Sequence, residues 1–443
     1  MKNDVLNSKF NNSDKEFVFS LLKSKFTLLL MTAFFMLSAL FHSSCKKKDD
    51  PIEEEDIVVN DNQYTIDQTL SEGAQKNTIA FDAVAFMTGN IGSQSFLPPG
   101  KVADYSGFQY LRDNDPTGLG HNTSFVTIIA FNIMHILDTD QLDLFIVAAE
   151  DQVELINEYA YKRFPLIKAF RRLIEGDLPS GTTGLDMDAV MAYSAELYAI
   201  DGEISYNRAK LFGDVINSFS SDQLAQIEVL KGLNGVGNWN DALFNPLEGL
   251  GLDQDISVGV MTYASEMYAW YAGSVTADVY FCPERQGTYF GSFYLKDWPA
   301  MGNPNYTINE QLTASAGQDF LSVLTTTQSD LITGLVDIQY DALLELVDRR
   351  EDISVELRKF LSSQSADETS VLSLSERYGE LDGEIIYHYA TNFAEVYQSL
   401  SDEQKTELEI LTDDLGYIHP DGAFLYSRPI EMPEIINTDF LFK

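Results

Sequence analysis

Among the residues able to do chemistry, two carboxylate pairs come first. Asp201-Gly202-Glu203 recurs as Asp382-Gly383-Glu384. Asp201 lies on the apolar stripe Val190, Ser194, Leu197, Asp201, Ile204, Leu211 and Val215, and Asp382 sits between Tyr378 and Ile385. A carboxylate turned toward a core must be paired or protonated, because burying a bare charge is costly. The expectation is a structural ion pair in each copy: Arg163 with Asp201 and Glu203, and Arg350 with Asp382 and Glu384. The competing reading gives the same acids general acid–base work or a metal.

Other chemistries find less support. The histidines beyond the leader are His121, His135, His388 and His419, and none belongs to an HExxH or Glu-x-x-His pattern. Glu376, Glu380, Glu384 and His388 stack at i, i+4 spacing, but their counterparts are Ala195, Ala199, Glu203 and Asn207, as expected of a solvated acidic face. Asp113-Asn114-Asp115 with Gly118 approaches a calcium loop but lacks the distal Glu. No metal site and no cofactor is therefore expected, beyond loose Ca2+ binding by an acidic surface. There is no Gly-x-Ser-x-Gly elbow and no P-loop. Gly232-Leu-Asn-Gly235-Val-Gly237 follows no strand pattern and reads as the start of a linker. Cys282 lies close to Arg285, which would lower a thiol pKa, yet its counterpart is Pro98, so a small buried apolar residue is expected.

The remaining candidate is a repeated loop. Lys101, Tyr105, Tyr110 and Asp113 match Arg285, Tyr289, Tyr294 and Asp297 at an offset of 184. Aromatic faces beside charged groups suit a glycan or a peptide. The alternative is that the tyrosines pack each loop onto its own helices.

These residues are positioned by an internal repeat. Residues 190–223 align with 371–404 at an offset of 181, with 13 identities in 34 positions. Gln141, Gln152, Glu158 and Arg163 match Gln328, Gln339, Glu345 and Arg350 at an offset of 187. The copies run roughly 76–232 and 263–412, with a linker at 233–262 and a tail at 413–443. From Gln141 to Glu175, apolar residues recur three and four apart, which predicts a helix with one buried face. Pro165 should kink or interrupt it. Long helices are also expected from about Asp186 to Phe219 and Asp367 to Leu400, and shorter ones over Asn77–Met87 and Phe125–Leu137. Without sustained period-two alternation, the fold class is all-α: two tandem helical bundles with long Gly/Pro/Tyr-containing loops.

Four helix starts share one grammar: Leu137-Asp-Thr-Asp-Gln141, Phe219-Ser-Ser-Asp-Gln223, Leu324-Thr-Thr-Thr-Gln328 and Leu400-Ser-Asp-Glu-Gln404. Each reads as a capping box, in which a short polar side chain and a Gln three residues on satisfy each other's backbone N–H. These starts also resemble the LTxxQ motif of Spy/CpxP-like helical envelope proteins, a resemblance that implies a helical periplasmic protein linked to chaperoning and metal stress. SusD-like and imelysin-like surface lipoproteins share the general plan, although Gly107-Phe-Gln-Tyr-Leu-Arg112 lacks the imelysin-like Gly-x-His-x-x-Glu.

Lys2, Lys9, Lys15, Lys23 and Lys25 precede the apolar run 26–41, which is too short for a comfortable membrane span. Ser43-Ser44-Cys45 resembles the lipobox of bacterial lipoproteins, with His42 departing from the usual aliphatic residue; the resemblance implies cleavage after 44 and a lipid on Cys45. Lys46-Lys47-Lys48-Asp49-Asp50 resembles the signal that sends lipoproteins to the cell surface in one large group of Gram-negative bacteria. Residues 45–75 read as an acidic tether, about 30 Å long if flexible. Without residues 1–44 the chain keeps 24 basic and 65 acidic residues, net -41. A sequence pI near 4.2 excludes nucleic acid, because phosphates need a basic face. The expectation is a lipid-anchored, outer-membrane, non-catalytic binding or scaffold module for a glycan, a peptide or an envelope protein. A metal-handling protein or enzyme using the central carboxylates is the alternative.

Overall fold

The computed structural model describes residues 70–88, 101–103, 109–112, 123–233, 238–280, 316–414, 423–425, 428–430 and 437–443, all within one compact unit, 60–443. The class is all-α. In chain order the first half gives α1 (Glu72–Thr88), α2 (Thr123–Met134), α3 (Thr139–Asp151), α4 (Val153–Glu175), α5 (Met187–Asn217) and α6 (Ser221–Gly232). The second half gives α7 (Gln254–Ala272), α8 (Val275–Tyr280), α9 (Ala316–Val323), α10 (Thr326–Thr333), α11 (Leu335–Leu357), a 3-10 turn (Arg358–Ser362), α12 (Glu368–Ser399) and α13 (Asp402–Asp414). Four strands of three or four residues, β1 (Lys101–Ala103), β2 (Gln109–Arg112), β3 (Ala423–Leu425) and β4 (Arg428–Ile430), pair antiparallel in that order.

The central contact is α5 against α12. Asp186 starts α5 by accepting from the Asp188 N–H, and Asp367 starts α12 by accepting from Ser370 N–H. The expected apolar stripe is buried apart from Leu211, which is partly buried, with Val190, Leu197, Ile204 and Val215 at 0% exposure. Burial of each such side chain is worth about 2 kcal/mol. Small residues let the two helices approach. Gly202 lies against Ser375, and Ser194 against Gly383, so the helices run antiparallel. Those four residues are two matched pairs at the offset of 181, placed symmetrically across the contact.

The first helix of each half packs on the other half. α1 packs on α9, α10, α11, α12 and α13, while its counterpart α7 packs on α2 and α3. Phe212 of α5 meets Tyr263 and Trp270 of α7, with ring centroids 6.3 and 6.2 Å apart. The linker expected at 233–262 therefore ends early, because α7 begins at Gln254, with Val260 at 0% exposure. The expected tether likewise gives up residues 72–75 to α1. The tail expected at 413–443 ends docked on the first half. Thr183 and Gly184 N–H donate to the Lys443 carbonyl, and Leu185 bridges to Phe442.

The helix expected over 141–175 divides at Gln152, and α4 then continues through Pro165 without interruption. Phe164, Leu166 and Ile167 are buried on either side of the proline and hold that turn in place.

All four helix starts are capped as expected, and their glutamines do more than cap. Gln223 Nε2 donates to Gln141 Oε1 at 2.6 Å, and Gln404 Nε2 donates to Gln328 Oε1 at 2.8 Å. Gln141 and Gln328 in turn donate to the matched hydroxyls of Ser218 and Ser399, each at 2.9 Å. The shared grammar thus welds two helix starts together in each half.

Candidate functional site

The long helices carry a row of buried polar groups into the core. Arg163, Asp201, Arg208 and Asp382 are fully buried, and Arg350 is nearly so. Of the acids expected in ion pairs, Asp201 and Asp382 are inside, whereas Glu203 is exposed and Glu384 half-buried. Arg350 Nε donates to the backbone carbonyl of Asp278 at 3.1 Å. The Asp278 carboxylate accepts from Ser354 Oγ and from Arg358 Nε, both at 2.6 Å, which fastens α8 to α11 and the following turn. Asp278 falls outside every pattern in the sequence, as a lone acid on a six-residue helix.

Matched polar groups sit at the centre of each half. In the first, Gln152 Oε1 accepts from Arg208 Nη2 at 3.0 Å and from the Tyr263 hydroxyl at 2.7 Å, and the Arg208 guanidinium lies over the Tyr263 ring at 4.9 Å. In the second, Gln339 Oε1 accepts from the Tyr389 hydroxyl at 2.6 Å, and Gln339 Nε2 donates to Gln75 of α1 at 2.9 Å. Both glutamines accept from a tyrosine, but Tyr263 comes from the exchanged helix α7, and Tyr389 stands at the position matched to Arg208.

Above Gln152 lies a polar cavity of about 470 Å3, lined by Asp151, Gln152, Glu154, Glu158, Glu203 and Asn207 among others. Because Arg208 and Tyr263 both hold Oε1, the Gln152 amide is fixed in orientation. Lys162 pairs with Glu158 at 3.0 Å on the rim. The matched face of the second half is neutralised from within. Arg377 binds both oxygens of Glu345 at 2.8 Å and Glu380 at 2.7 Å. Those bonds hold the Glu345 carboxyl below its ordinary range. In the first half the position of Arg377 is taken by Glu196, which is exposed. The acids of α3 and α4 that line this cavity were not singled out as a site in the sequence. Glu154 and Glu158 at i, i+4, opposite Glu203 and Asn207 at i, i+4, were the available signal.

A second cavity, about 440 Å3 and mostly apolar, is lined by Asn132, His135, Ile136, Val229, Leu230 and Leu243 among others, with Phe244 on His135 at 4.8 Å. Of the expected loop site, Lys101 and Tyr110 fall in β1 and β2, while Tyr105, Asp113, Arg285, Tyr289, Tyr294 and Asp297 lie outside the described residues, as do Cys45 and Cys282. Among the described residues no group of three or more His, Cys, Asp or Glu side chains could hold a metal ion, and no helix is long and apolar enough to cross a membrane. No family model, curated protein or solved structure matches this chain.

Proposed function

We propose that this protein is a lipid-anchored module of the cell envelope, attached through Cys45, that binds a partner without transforming it. The ligand chemistry is cationic: a lysine or arginine side chain of a peptide or envelope protein, seated in the acidic cavity beside Gln152. One comparison carries this reading. The second half supplies its own guanidinium, Arg377, to Glu345 and Glu380, whereas the first half has Glu196 in place of that arginine and, with Lys162 on Glu158 at the rim, leaves Asp151, Glu154 and Glu203 on an open cavity. Four acids on one concavity favour a positive guest, and the interaction weakens with salt.

Calorimetric titration of the full chain with an arginine-bearing peptide, against the same peptide carrying citrulline, tests the reading. Saturable binding of the arginine form, weakened by Glu203→Gln and Glu154→Gln, supports it. Equal binding of both peptides, or none, overturns it. The second reading, a metal-handling protein or enzyme using these carboxylates, rests on Glu203 facing the same cavity. Tight stoichiometric uptake of a divalent cation in the same calorimeter favours it instead.

A further inference from the structure

The two buried centres differ in charge. By matched positions the first half buries Asp201 and Glu266 with Arg163, Arg171 and Arg208. Besides Asp278, which Arg358 neutralises, the second buries Asp382 and Asp82 with Arg350, because Tyr389 replaces Arg208. Asp82 sits on α1, the helix that the first half lends to the second. It is 0% exposed, and neither carboxyl oxygen has a hydrogen-bond partner among the described residues. We infer that Asp82 is a proton-binding site, a neutral carboxylic acid in the folded protein, and that its ionisation undocks α1.

The groups around it leave the proton as the balancing charge. From α12, Asp382 and Tyr389 face this centre, both buried; burial pushes the Tyr389 hydroxyl well above its ordinary range, and the Asp82 and Asp382 carboxyls both lie within electrostatic reach of it. From α11 comes Arg350, the one buried cation on the helices packed against α1 among the described residues. Asp337 and Asp341 of α11, Asp319 of α9 and Asp330 of α10 are exposed. Lys405 of α13 is half-buried and lies over the Tyr397 ring at 4.9 Å. On α1 itself, Glu72 and Lys76 pair at the surface. One arginine balances one carboxylate, not two, and a second bare charge in this interior is prohibitive. Burial accordingly pushes the Asp82 carboxyl well above its ordinary range.

The sign follows from linkage. A carboxyl raised on folding contributes stability that is fully present below its unfolded value, near 3.9, and is lost as pH rises through its folded value. Asp82→Asn keeps the shape and removes the proton. In denaturant titrations of the full chain, the unfolding constant of wild type relative to Asp82→Asn should climb about tenfold per pH unit above roughly pH 4, until Asp82 ionises in the fold. Tryptic cleavage at Lys76, corrected with an unfolded peptide, should accelerate with pH in wild type and not in Asp82→Asn. Infrared spectra at pH 7 should show a protonated-carboxyl carbonyl band that Asp82→Asn lacks, a readout that needs no stable variant beyond wild type to look for the band. The inference is overturned if wild type shows no such band, if the ratio is flat with pH, or if Na+ or Ca2+ raises the midpoint of wild type without the band.

Discussion

Gly202 of α5 lies directly against Ser375 of α12, so close that a methyl group on the glycine would stand 2.7 Å from the serine Cβ. Gly383 repeats the arrangement with Ser194, where the same methyl would stand at 3.0 Å. Gly202→Ala and Gly383→Ala should each lower stability by about 1–3 kcal/mol, since overpacking outweighs the gain in helix propensity. Gly232, at the end of α6 with open space around it, is the control. Gly232→Ala should be neutral or stabilising by up to about 1 kcal/mol. Urea titrations compare the three.

The paired capping boxes predict an unequal cost within one motif. Ser220 caps α6 through a single bond to the Gln223 N–H. Gln223 accepts from the Ser220 N–H at 2.9 Å and donates to the Ile136 carbonyl at 2.9 Å and to Gln141 at 2.6 Å. Ser220→Ala should cost about 1 kcal/mol. Gln223→Ala should cost about 1–3 kcal/mol, because it strands buried groups on two other segments. Thermal unfolding of both variants would show the order, and equal losses would argue against the bridge.

Asp278 should behave as a buried anchor. With its carboxylate removed, Ser354 and Arg358 keep their burial and lose an acceptor, while Arg350 keeps the backbone carbonyl. Asp278→Ala should cost about 3 kcal/mol, with little sensitivity to salt. Lys231→Ala, which removes the exposed pair with Glu228 at 3.1 Å, should cost under about 1 kcal/mol and depend on salt. Chemical denaturation at low and high ionic strength separates the two behaviours.

His388 supplies a pH dependence opposite in sign to that of Asp82. Burial holds its imidazole below the ordinary range, against the pull of Glu384. The folded chain therefore binds fewer protons there than the unfolded chain. Stability should fall as pH drops below the unfolded value near 6.5, and level off below the folded value. His388→Asn, which installs the residue found at the matched Asn207, should flatten that limb of the midpoint-versus-pH curve.

Periodicity in the sequence identified the helices and the buried faces of α5 and α12, because side-chain spacing alone dictates them. It also located the capping boxes, which are local. It did not reveal that Gln141 and Gln223, 82 residues apart, bond to each other. Nor did it reveal the exchange of α1 and α7, since an apolar stripe specifies a face and not the partner that covers it. The acidic cavity was hidden for a related reason. Glu154 and Glu158 look the same in sequence whether their helix lines a hollow or a convex surface. Asp82 went unnoticed because a single acid in Ile79–Met87 gives no pattern, and its meaning depends on Tyr389 standing where the first half has Arg208.

The lending of α1 to one half and α7 to the other makes a chain break between them unusually harmless. A protease cutting at the exposed turn around Gly249–Gly251 would produce an N-terminal piece whose leading helix is still embedded in its sister, and a C-terminal piece whose leading helix is embedded in return. The fragments would remain clasped, co-eluting as one particle until denatured, and neither would be expected to persist when expressed without the other.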